Sequence, residues 1–247
     1  TISVSAFLLN RSSDLIMSQV NTDECFLLHQ RPYGETSIIS EVFTKNNGKI
    51  SLIAKGAKKP KSKFFGYLVP FYKLSITYSG RSELKTLTNI DRDLSDFNNT
   101  LSKKSYSLLY INELLIRLLP KDASHLELFN LYDNFLEEVI SKKDIEIVLR
   151  HFELDLLDML GYGLDFDNDI DNNNPIMASA SYKFISEKGF KESDNAGLLG
   201  EHIINIKERN LDKVPRKSLK EITTKAIRFC LDGKELTSRE IFKSIKK

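Results

Sequence analysis

The sequence predicts an α+β protein in which a small five-stranded barrel is followed by an all-helical domain with a small irregular insertion. Three observations predict it. Short β-type runs fill residues 23–93, helical periodicity begins after them, and the sign of the net charge changes at nearly the same places. We therefore expect an N-terminal extension at residues 1–22, a barrel at 23–93 and a helical domain at 94–247.

Five segments of the first part are short and rich in β-branched and aromatic residues, as strands are. They occupy residues 25–29, 37–44, 49–54, 71–78 and 84–90. Asn47-Gly48 lies between the second and third segments and is a strong hairpin signal. Five short strands with one longer lysine-rich connection favour an OB-fold barrel, and an SH3-like barrel is the alternative.

Helical patterning begins with residues 101–119, which are apolar around most of the circumference and end before Pro120, and continues with residues 126–140. The third helix carries one apolar stripe, between Asp144 at its start and Gly161 just past its end. The members of the stripe are Ile145, Leu149, Phe152, Leu156 and Leu160.

The remainder of the helical domain contains an irregular insertion at about residues 164–197, in which residues 181–190 fit a short strand or hairpin. Pro215 opens a further helix, because proline is favoured at a helix start. The sequence Thr237-Ser238-Arg239-Glu240 is a capping box that predicts a last short helix.

The N-terminal extension contains an apolar stretch at residues 6–10 with no Lys or Arg before it, which makes a poor secretory signal. We expect Met17 to be the natural start, with residues 1–16 foreign to the native chain. The two cysteines, Cys25 and Cys230, are expected to be unpaired thiols in a reducing compartment. No apolar run approaches the roughly 18 residues that span a membrane, so a cytoplasmic protein is expected.

Charge is segregated along the chain although the formal net charge is only +2. Residues 31–85 hold eleven Lys and Arg against three Glu, a net +8. Residues 113–171 hold fifteen acids against five bases, a net −10, and residues 183–247 carry a net +6. This asymmetry predicts that the N-terminal barrel attracts polyanions and that the middle of the chain does not.

The strongest local signal is a lysine-rich loop at residues 55–63, which holds five lysines in nine positions together with Gly56 and Pro60. Lysines on a loop neutralise phosphates without reading bases, and the rings of Phe64 and Phe65 are able to stack on exposed bases. A solvated loop with both rings in the core is the alternative. The candidate DNA-binding residues of the loop are Lys55, Lys58, Lys59, Lys61 and Lys63.

Three further cations extend this predicted basic surface. Arg31 stands beside Pro32 at a strand end and is equally suited to a turn or to a phosphate contact. Arg81 and Lys85 add positive charge without any specificity of their own.

No catalytic constellation is evident, and no cofactor is expected. The chain has no glycine-rich phosphate loop, no His pair at metal-ligand spacing and no nucleophile elbow. Residues 165–171 alternate aspartates like a calcium loop, but Ile170 and Ile176 stand where Gly and Glu are required. Two alternatives to DNA binding stay open: a protein-interaction scaffold with a solubilising basic barrel, and a metal-dependent nuclease that uses these aspartates.

Arg150 lies on the third predicted helix, one position from the apolar stripe and within the acidic region. Position alone favours an ordinary ion pair with Glu146 or Glu153 at helical spacing.

Several motifs, taken together and in order, resemble the bacterial RecO family. In the barrel they are HQRPYGETS at residues 29–37, VFT at 42–44, GKI at 48–50 and AKGAK at 54–58. Beyond it they are LYINELL at 109–115, LRHFE at 149–153, LGYG at 160–163, EKGF at 187–190 and SREIF at 238–242.

The resemblance implies an OB-fold followed by a helical domain, and a non-catalytic role in DNA repair and recombination. It implies binding to single- and double-stranded DNA, annealing of complementary strands and loading of the RecA recombinase onto DNA coated by single-strand-binding protein (SSB). The implied partners are the SSB C-terminal tail and RecR, with a cytoplasmic, nucleoid-associated location. Many relatives carry four zinc-binding cysteines after the Gly-Tyr-Gly turn, but residues 165–175 contain no cysteine, so no zinc is inferred.

The resemblance also gives Arg150 a second interpretation. Its position matches the arginine that would meet a carboxylate of the SSB tail, which ends in aspartates and a Phe carboxylate, beside an apolar groove that holds the ring. Leu114 and Leu118 are the candidate residues of the groove wall.

Overall fold

A computed structural model describes residues 20–92, 104–141, 144–194 and 197–238. Its first part is a closed barrel with the strand order β1-β2-β3-β5-β4, in which β3 and β5 are parallel and the other pairs are antiparallel. The strands are β1 (Val20–Tyr33), β2 (Ser37–Thr44), β3 (Gly48–Ala54), β4 (Lys73–Ser79) and β5 (Leu84–Asp91). The predicted OB-fold is confirmed, as are its five strands and the hairpin at Asn47-Gly48.

The first strand is longer than its sequence pattern predicts, because it begins at Val20, five residues before the first predicted run. Its N-terminal half pairs with β4 and its C-terminal half pairs with β2, so one strand closes the barrel on both sides. The register shifts between Leu27 and His29, which is a β-bulge. A bulge bends the strand and leaves ladder carbonyls without their usual partners.

The second part begins with three helices: α1 (Ser105–Leu118), α2 (Leu126–Ser141) and α3 (Ile145–Met159). Each corresponds to a predicted helix, although residues 101–103 of the first prediction lie outside the described residues. Asp144 caps α3 as expected, since its side chain accepts hydrogen bonds from the backbone N–H groups of Glu146 and Ile147. Gly161 follows with φ +79°, a left-handed conformation that glycine adopts without strain.

A three-stranded sheet and two further helices complete the domain. They are β6 (Ser181–Ile185), β7 (Gly189–Glu192), β8 (Leu198–Leu199), α4 (Gly200–Lys207) and α5 (Arg216–Cys230), with a 3-10 turn at Leu211–Lys213. The hairpin of β6 and β7 was predicted, and so was the helix after Pro215. Helix α4 was not predicted. Of the last predicted helix, Thr237 and Ser238 are helical and the remainder lies outside the described residues.

One apolar cluster joins the barrel to the helices, beside the separate core inside the barrel. Phe26 and Phe43 project from the barrel onto Phe129 and Tyr132 of α2, with ring centroids 5.0 to 5.6 Å apart for the pairs in contact. Edge-to-face and tilted ring contacts of this kind stabilise the packing by more than the burial of apolar area alone. The two parts are therefore packed directly on one another.

Asn112 of α1 ties the helices to the bulge in β1. Its side-chain amide donates to the carbonyls of Leu27 and Leu28 at 3.3 and 3.1 Å, and its own oxygen accepts from the Tyr132 hydroxyl at 2.5 Å. The bulge exposes these carbonyls within the core, and buried carbonyls need partners. Asn112 therefore supplies the hydrogen bonds that the strand ladder lacks.

The start of β3 packs against the connection between α1 and α2. A Cβ on Gly48 would lie 1.9 Å from the carbonyl oxygen of Ala123, and the φ of Gly48 is +67°, so only glycine fits there. The neighbouring Lys49 reaches the carbonyl of Ile116 near the end of α1, where a helix end favours a cation. Burial lowers the pKa of this ammonium from its ordinary value.

No helix within the described ranges is long and apolar enough to cross a membrane. Cys25 is buried in the barrel and Cys230 is half-buried, and both are free thiols as predicted.

Candidate nucleic-acid interface and peptide groove

The lysine loop (residues 55–63) belongs to the connection between β3 and β4 and closes one end of the barrel. Ala57, Phe64 and Leu68 turn inward and join the apolar core of the barrel. Successive turns, each closed by a backbone bond of 2.9 to 3.1 Å, lead from Gly56 to Phe65. The lysine side chains are therefore presented on a compact support rather than on a free segment.

Lys58 fixes the lysine loop to the turn between β1 and β2 (residues 34–36). Its backbone N–H donates to the carbonyl of Thr36 at 2.9 Å, and its ammonium donates to the carbonyl of Gly34 at 2.8 Å. The sequence suggested a phosphate contact for Lys58, but part of its donor capacity is already used inside the protein. It positions the other lysines.

The four remaining lysines of the loop, Lys55, Lys59, Lys61 and Lys63, are exposed. None of them forms an ion pair with a carboxylate in the part of the chain that the structure describes. The ammonium of Lys63 lies 5.4 Å from the centroid of the buried Phe64 ring, a cation–π distance. Four positive charges thus face solvent together at one end of the barrel.

The three outlying cations of the predicted basic surface have different environments. Arg31 is exposed on β1, three residues before the turn that Lys58 contacts, so it lies at the lysine-loop end. Arg81 is exposed in the turn that precedes Leu84. Because Leu84 pairs with Ser51 in the parallel strands β5 and β3, Arg81 lies towards the start of β3 and away from Lys55. The side chain of Lys85 is only 17% exposed and is paired with Asp122 at 2.8 Å. The structure therefore joins Arg31 to the lysine loop and separates Lys85 from it.

A groove of about 670 Å³ opens between α1, α3 and α5. Its aliphatic lining comes from α3 and from α5 with the segment after it, namely Ile145, Leu149, Ile227, Leu231 and Leu236. Its charged lining residues are the cations Arg150, Lys220, Arg228 and Lys234 and the carboxylates Glu146 and Glu235, of which Glu235 pairs with Arg228 at 3.5 Å. An apolar groove with cations at its edge suits an anionic peptide that carries an apolar side chain.

Arg150 lies in the lining of this groove and is 6% exposed. Its Nη1 is 2.6 Å from Oε2 of Glu153 and donates to the hydroxyl of Thr223 at 2.6 Å. Tyr110 donates to the other oxygen of Glu153 at 2.6 Å. Arg150 therefore forms the ion pair that its sequence position favours, and it also lines a groove as the family resemblance implies.

One donor of the same guanidinium is not used internally. The buried Nε of Arg150 has no hydrogen-bond partner among the described residues. A buried donor without a partner costs free energy.

The two leucines proposed for the groove wall are elsewhere, and that prediction is wrong. Leu114 is fully buried in the shared core, and Leu118 is half-buried against the same core. Neither lines the groove. They lie on α1, as the true lining residues Tyr106 and Tyr110 do, but they point into the barrel-facing core. Helical spacing identifies an apolar face without revealing which neighbour covers it.

Glu113 of α1 holds the segment that closes one side of the groove. Its carboxylate accepts from the backbone N–H groups of Thr237 and Ser238 at 3.0 and 2.8 Å and from the Ser238 hydroxyl at 2.7 Å. Burial acts to raise the pKa of this carboxyl, but these hydrogen bonds, with that from Arg117, leave the pKa below its ordinary 4.5. Leu236 and Ser238, which this contact fixes, are groove residues.

The aspartates at residues 165–171 serve the local fold. Asp165 and Asp169 accept backbone hydrogen bonds, the latter from Asn172 and Glu192 while itself buried. Asp167 and Asp171 pair with lysines. Within the described ranges, no group of three or more His, Cys, Asp or Glu is arranged to hold a metal ion.

The fold and these surfaces define a class of protein: a basic OB-fold barrel packed on a helical domain with a cation-edged apolar groove. Two family profiles match the chain, "Recombination protein O N terminal" over residues 17–92 and "Recombination protein O C terminal" over residues 102–240. The chain therefore belongs to the RecO family.

Relatives of this family cover nearly the whole chain. A protein named DNA repair protein RecO from Hamiltonella defensa is 40% identical over 223 residues, covering 88% of this chain and 95% of the relative. Its namesake from Vibrio parahaemolyticus is 38% identical over 233 residues, covering 92% and 94%. The one from Pseudoalteromonas atlantica is 36% identical over 222 residues, covering 88% and 92%.

Proposed function

We propose that this protein acts in DNA repair and recombination by holding DNA backbones on the lysine loop. The observation that carries the proposal is the group of four exposed lysines at one end of the barrel, without internal ion pairs among the described residues. Lysines that already contact solvent bind phosphates at little desolvation cost, and their binding releases the counterions condensed on the DNA. Binding would then be insensitive to sequence and would include both single and double strands.

Annealing of complementary strands follows from the same charge. Two DNA backbones repel one another, and a cationic surface that contacts both lowers that repulsion while the base edges stay open for pairing. The four lysines lie on a compact loop that Lys58 anchors, so their positive charge stays concentrated at one place.

The groove is the proposed site for the SSB tail. Its apolar lining would take the terminal ring, and Arg150 with the edge cations Lys220 and Lys234 would meet the carboxylates. Contact with SSB, together with RecR, would let the protein act on SSB-coated DNA and help to load RecA.

We propose that this role is non-catalytic. The aspartates at residues 165–171, which a nuclease would need for metal binding, are engaged in backbone hydrogen bonds and in ion pairs with Lys191 and Lys207. Their roles in the local fold support an action by binding alone.

The test is a fourfold charge reversal, Lys55→Glu, Lys59→Glu, Lys61→Glu and Lys63→Glu. Anisotropy titrations with a labelled single strand should show a loss of affinity on the order of 100-fold or more at low salt, because attraction becomes repulsion. The wild type should give a log–log salt slope of roughly −3 for about four neutralised phosphates. Annealing of SSB-coated complementary oligonucleotides, without nucleotide or metal, should be lost in parallel.

The matched control reverses four exposed lysines of the helical domain, namely Lys183, Lys188, Lys213 and Lys217. It makes the same change in net charge and should keep most of the DNA affinity. Equal loss in both variants would show that overall charge, rather than the lysine loop, holds the DNA. Unchanged affinity in the loop variant would overturn the proposal.

A further inference from the structure

Two exposed aromatic rings stand at the lysine-loop end of the barrel. Tyr33 is 50% exposed at the end of β1, immediately before the turn that Lys58 contacts. Phe65 is 55% exposed just after the lysine loop. The backbone N–H of Phe65 donates to the carbonyl of Ser62 at 3.1 Å, in the last of the successive turns that begin at Gly56. Each ring therefore adjoins the lysine loop, Tyr33 beside the turn that Lys58 contacts and Phe65 two residues after Lys63.

We infer that Tyr33 and Phe65 form a stacking platform for unpaired bases, which makes the barrel end prefer single-stranded over double-stranded DNA. The inference rests on the proposed DNA binding of the lysine loop and adds a ligand preference to it. Phosphates contact the lysines, while bases that are not paired rest on the rings.

The environment of each ring supports this role. Phe64 is buried in the barrel core, and the adjacent Phe65 is turned to solvent, so one aromatic anchors the chain while the next is displayed. Tyr33 precedes Gly34, whose carbonyl accepts from Lys58, and so sits on the anchored turn. Rings fixed in this way lose little conformational freedom when a base stacks on them.

The chemistry explains why the preference is for single strands. Every base has a π-face, so stacking on a ring tolerates any sequence. Bases in a duplex are already stacked on their neighbours, and presenting one to a ring requires unstacking it. Phosphates are available in both forms of DNA, so the lysines alone do not distinguish them.

The other exposed rings of the described residues lie elsewhere. Tyr106 lines the groove, Tyr162 follows α3 in the acidic region, and Phe229 lies on α5. Only Tyr33 and Phe65, among the exposed Tyr and Phe rings that the structure describes, belong to the barrel. Phe229, with 42% exposure, is therefore a suitable control.

The chain contains no tryptophan, which allows a direct test of stacking. Tyr33→Trp and Phe65→Trp each create a single fluorescent reporter at an exposed position. A short single-stranded oligonucleotide should quench both reporters, while a duplex of the same length should quench them much less. Phe229→Trp should respond to neither. Equal quenching by duplex and single strand, or no quenching while DNA is bound, would overturn the inference.

Affinity provides the second measurement. The double variant Tyr33→Ala with Phe65→Ala should lose single-strand affinity by roughly 5- to 150-fold per ring and keep its duplex affinity. Tyr33→Leu with Phe65→Leu should behave like the alanine variant, because leucine keeps apolar area and removes the π-face. Full single-strand affinity in the leucine variant would overturn the inference, because the π-faces would then not be needed.

The two proposals fail in different ways. If the lysine-reversed variant loses affinity for both single- and double-stranded DNA and the ring variants lose affinity for neither, only the stacking inference is wrong. If the lysine-reversed variant keeps its affinity for both, the proposed function itself is wrong.

Discussion

The two cationic sites of this protein place positive charge in opposite environments. The lysine loop displays four ammonium groups to solvent, with no carboxylate partner among the described residues. Arg150 is buried beside Glu153 and Thr223, and its charge is balanced inside the protein. The first site is accessible from many directions, whereas the second is held by its neighbours in the lining of a groove.

The difference suits the two kinds of anion in the proposed function. A DNA backbone is long and repeats its charge, so exposed lysines bind it without fixed geometry. A peptide tail offers one terminal carboxylate at a defined point, and a planar guanidinium held by neighbours matches it. The fold also depends on the buried pair, because removing one partner leaves the other charge buried and unpaired.

The largest expected effect is on that buried pair. Glu153→Leu leaves Arg150 charged and buried without its carboxylate, and it removes the acceptor of the Tyr110 hydroxyl. We expect the free energy of unfolding to fall by about 3 to 5 kcal/mol. Urea denaturation measures this value, provided that the slope with denaturant is unchanged.

Two variants sharpen this comparison. Arg150→Met combined with Glu153→Leu should recover most of the loss, because a buried pair replaced by apolar residues of similar volume is often neutral. Lys59→Leu in the exposed loop should change stability by less than about 0.5 kcal/mol. If Glu153→Leu lowers the free energy of unfolding no more than Lys59→Leu does, the buried charge of Arg150 does not depend on its partner.

An intermediate effect is expected at the edge of the groove. Lys220→Glu combined with Lys234→Glu should weaken binding of a short peptide that carries aspartates and ends in Phe by about tenfold, since repulsion replaces attraction. Isothermal titration with that peptide measures the change. The control pair Lys183→Glu with Lys188→Glu should leave the peptide affinity intact. Retained affinity in the first pair would exclude the groove as the peptide site.

The smallest effect is expected at Lys85, which belongs to the barrel but is paired with Asp122. Lys85→Gln should change single-strand affinity less than twofold and leave the salt slope unaltered, because its charge is already neutralised. Lys59→Gln, an exposed counterpart, should make the slope shallower by roughly 0.7. Equal slopes for both variants would show that ion pairing within the protein does not decide which lysines meet DNA.

Much of the fold follows from local pattern. The five strands are short runs rich in β-branched and aromatic residues with turn residues between them, and α3 has a single stripe with Asp144 at its start, so these elements are readable in isolation. Helix α4 escaped prediction because it is only eight residues long, and its N-cap position, Leu199, provides no side-chain hydrogen bond. A short helix without a capping residue has no strong local signal.

The candidate sites were predictable to different extents. The lysine loop is contiguous, so its charge is visible in the sequence, and Phe64 and Phe65 are neighbours whose opposite burial only packing reveals. The groove is assembled from α1, α3, α5 and the segment after it. Leu114 was misassigned because helical spacing does not tell a core face from a groove face.

By itself, the sequence determined the OB-fold barrel, the helices with strong periodicity and the concentration of positive charge in the lysine loop. These depend on neighbours within a few residues, where hydrophobic period, turn residues and charge act directly. Only the tertiary structure decided that Lys58 anchors the loop, that Lys85 is paired with Asp122 and that Arg150 is buried beside Glu153 in a groove. The physical reason is that burial and pairing depend on residues far apart in the chain, and these determine which charges remain available to a partner.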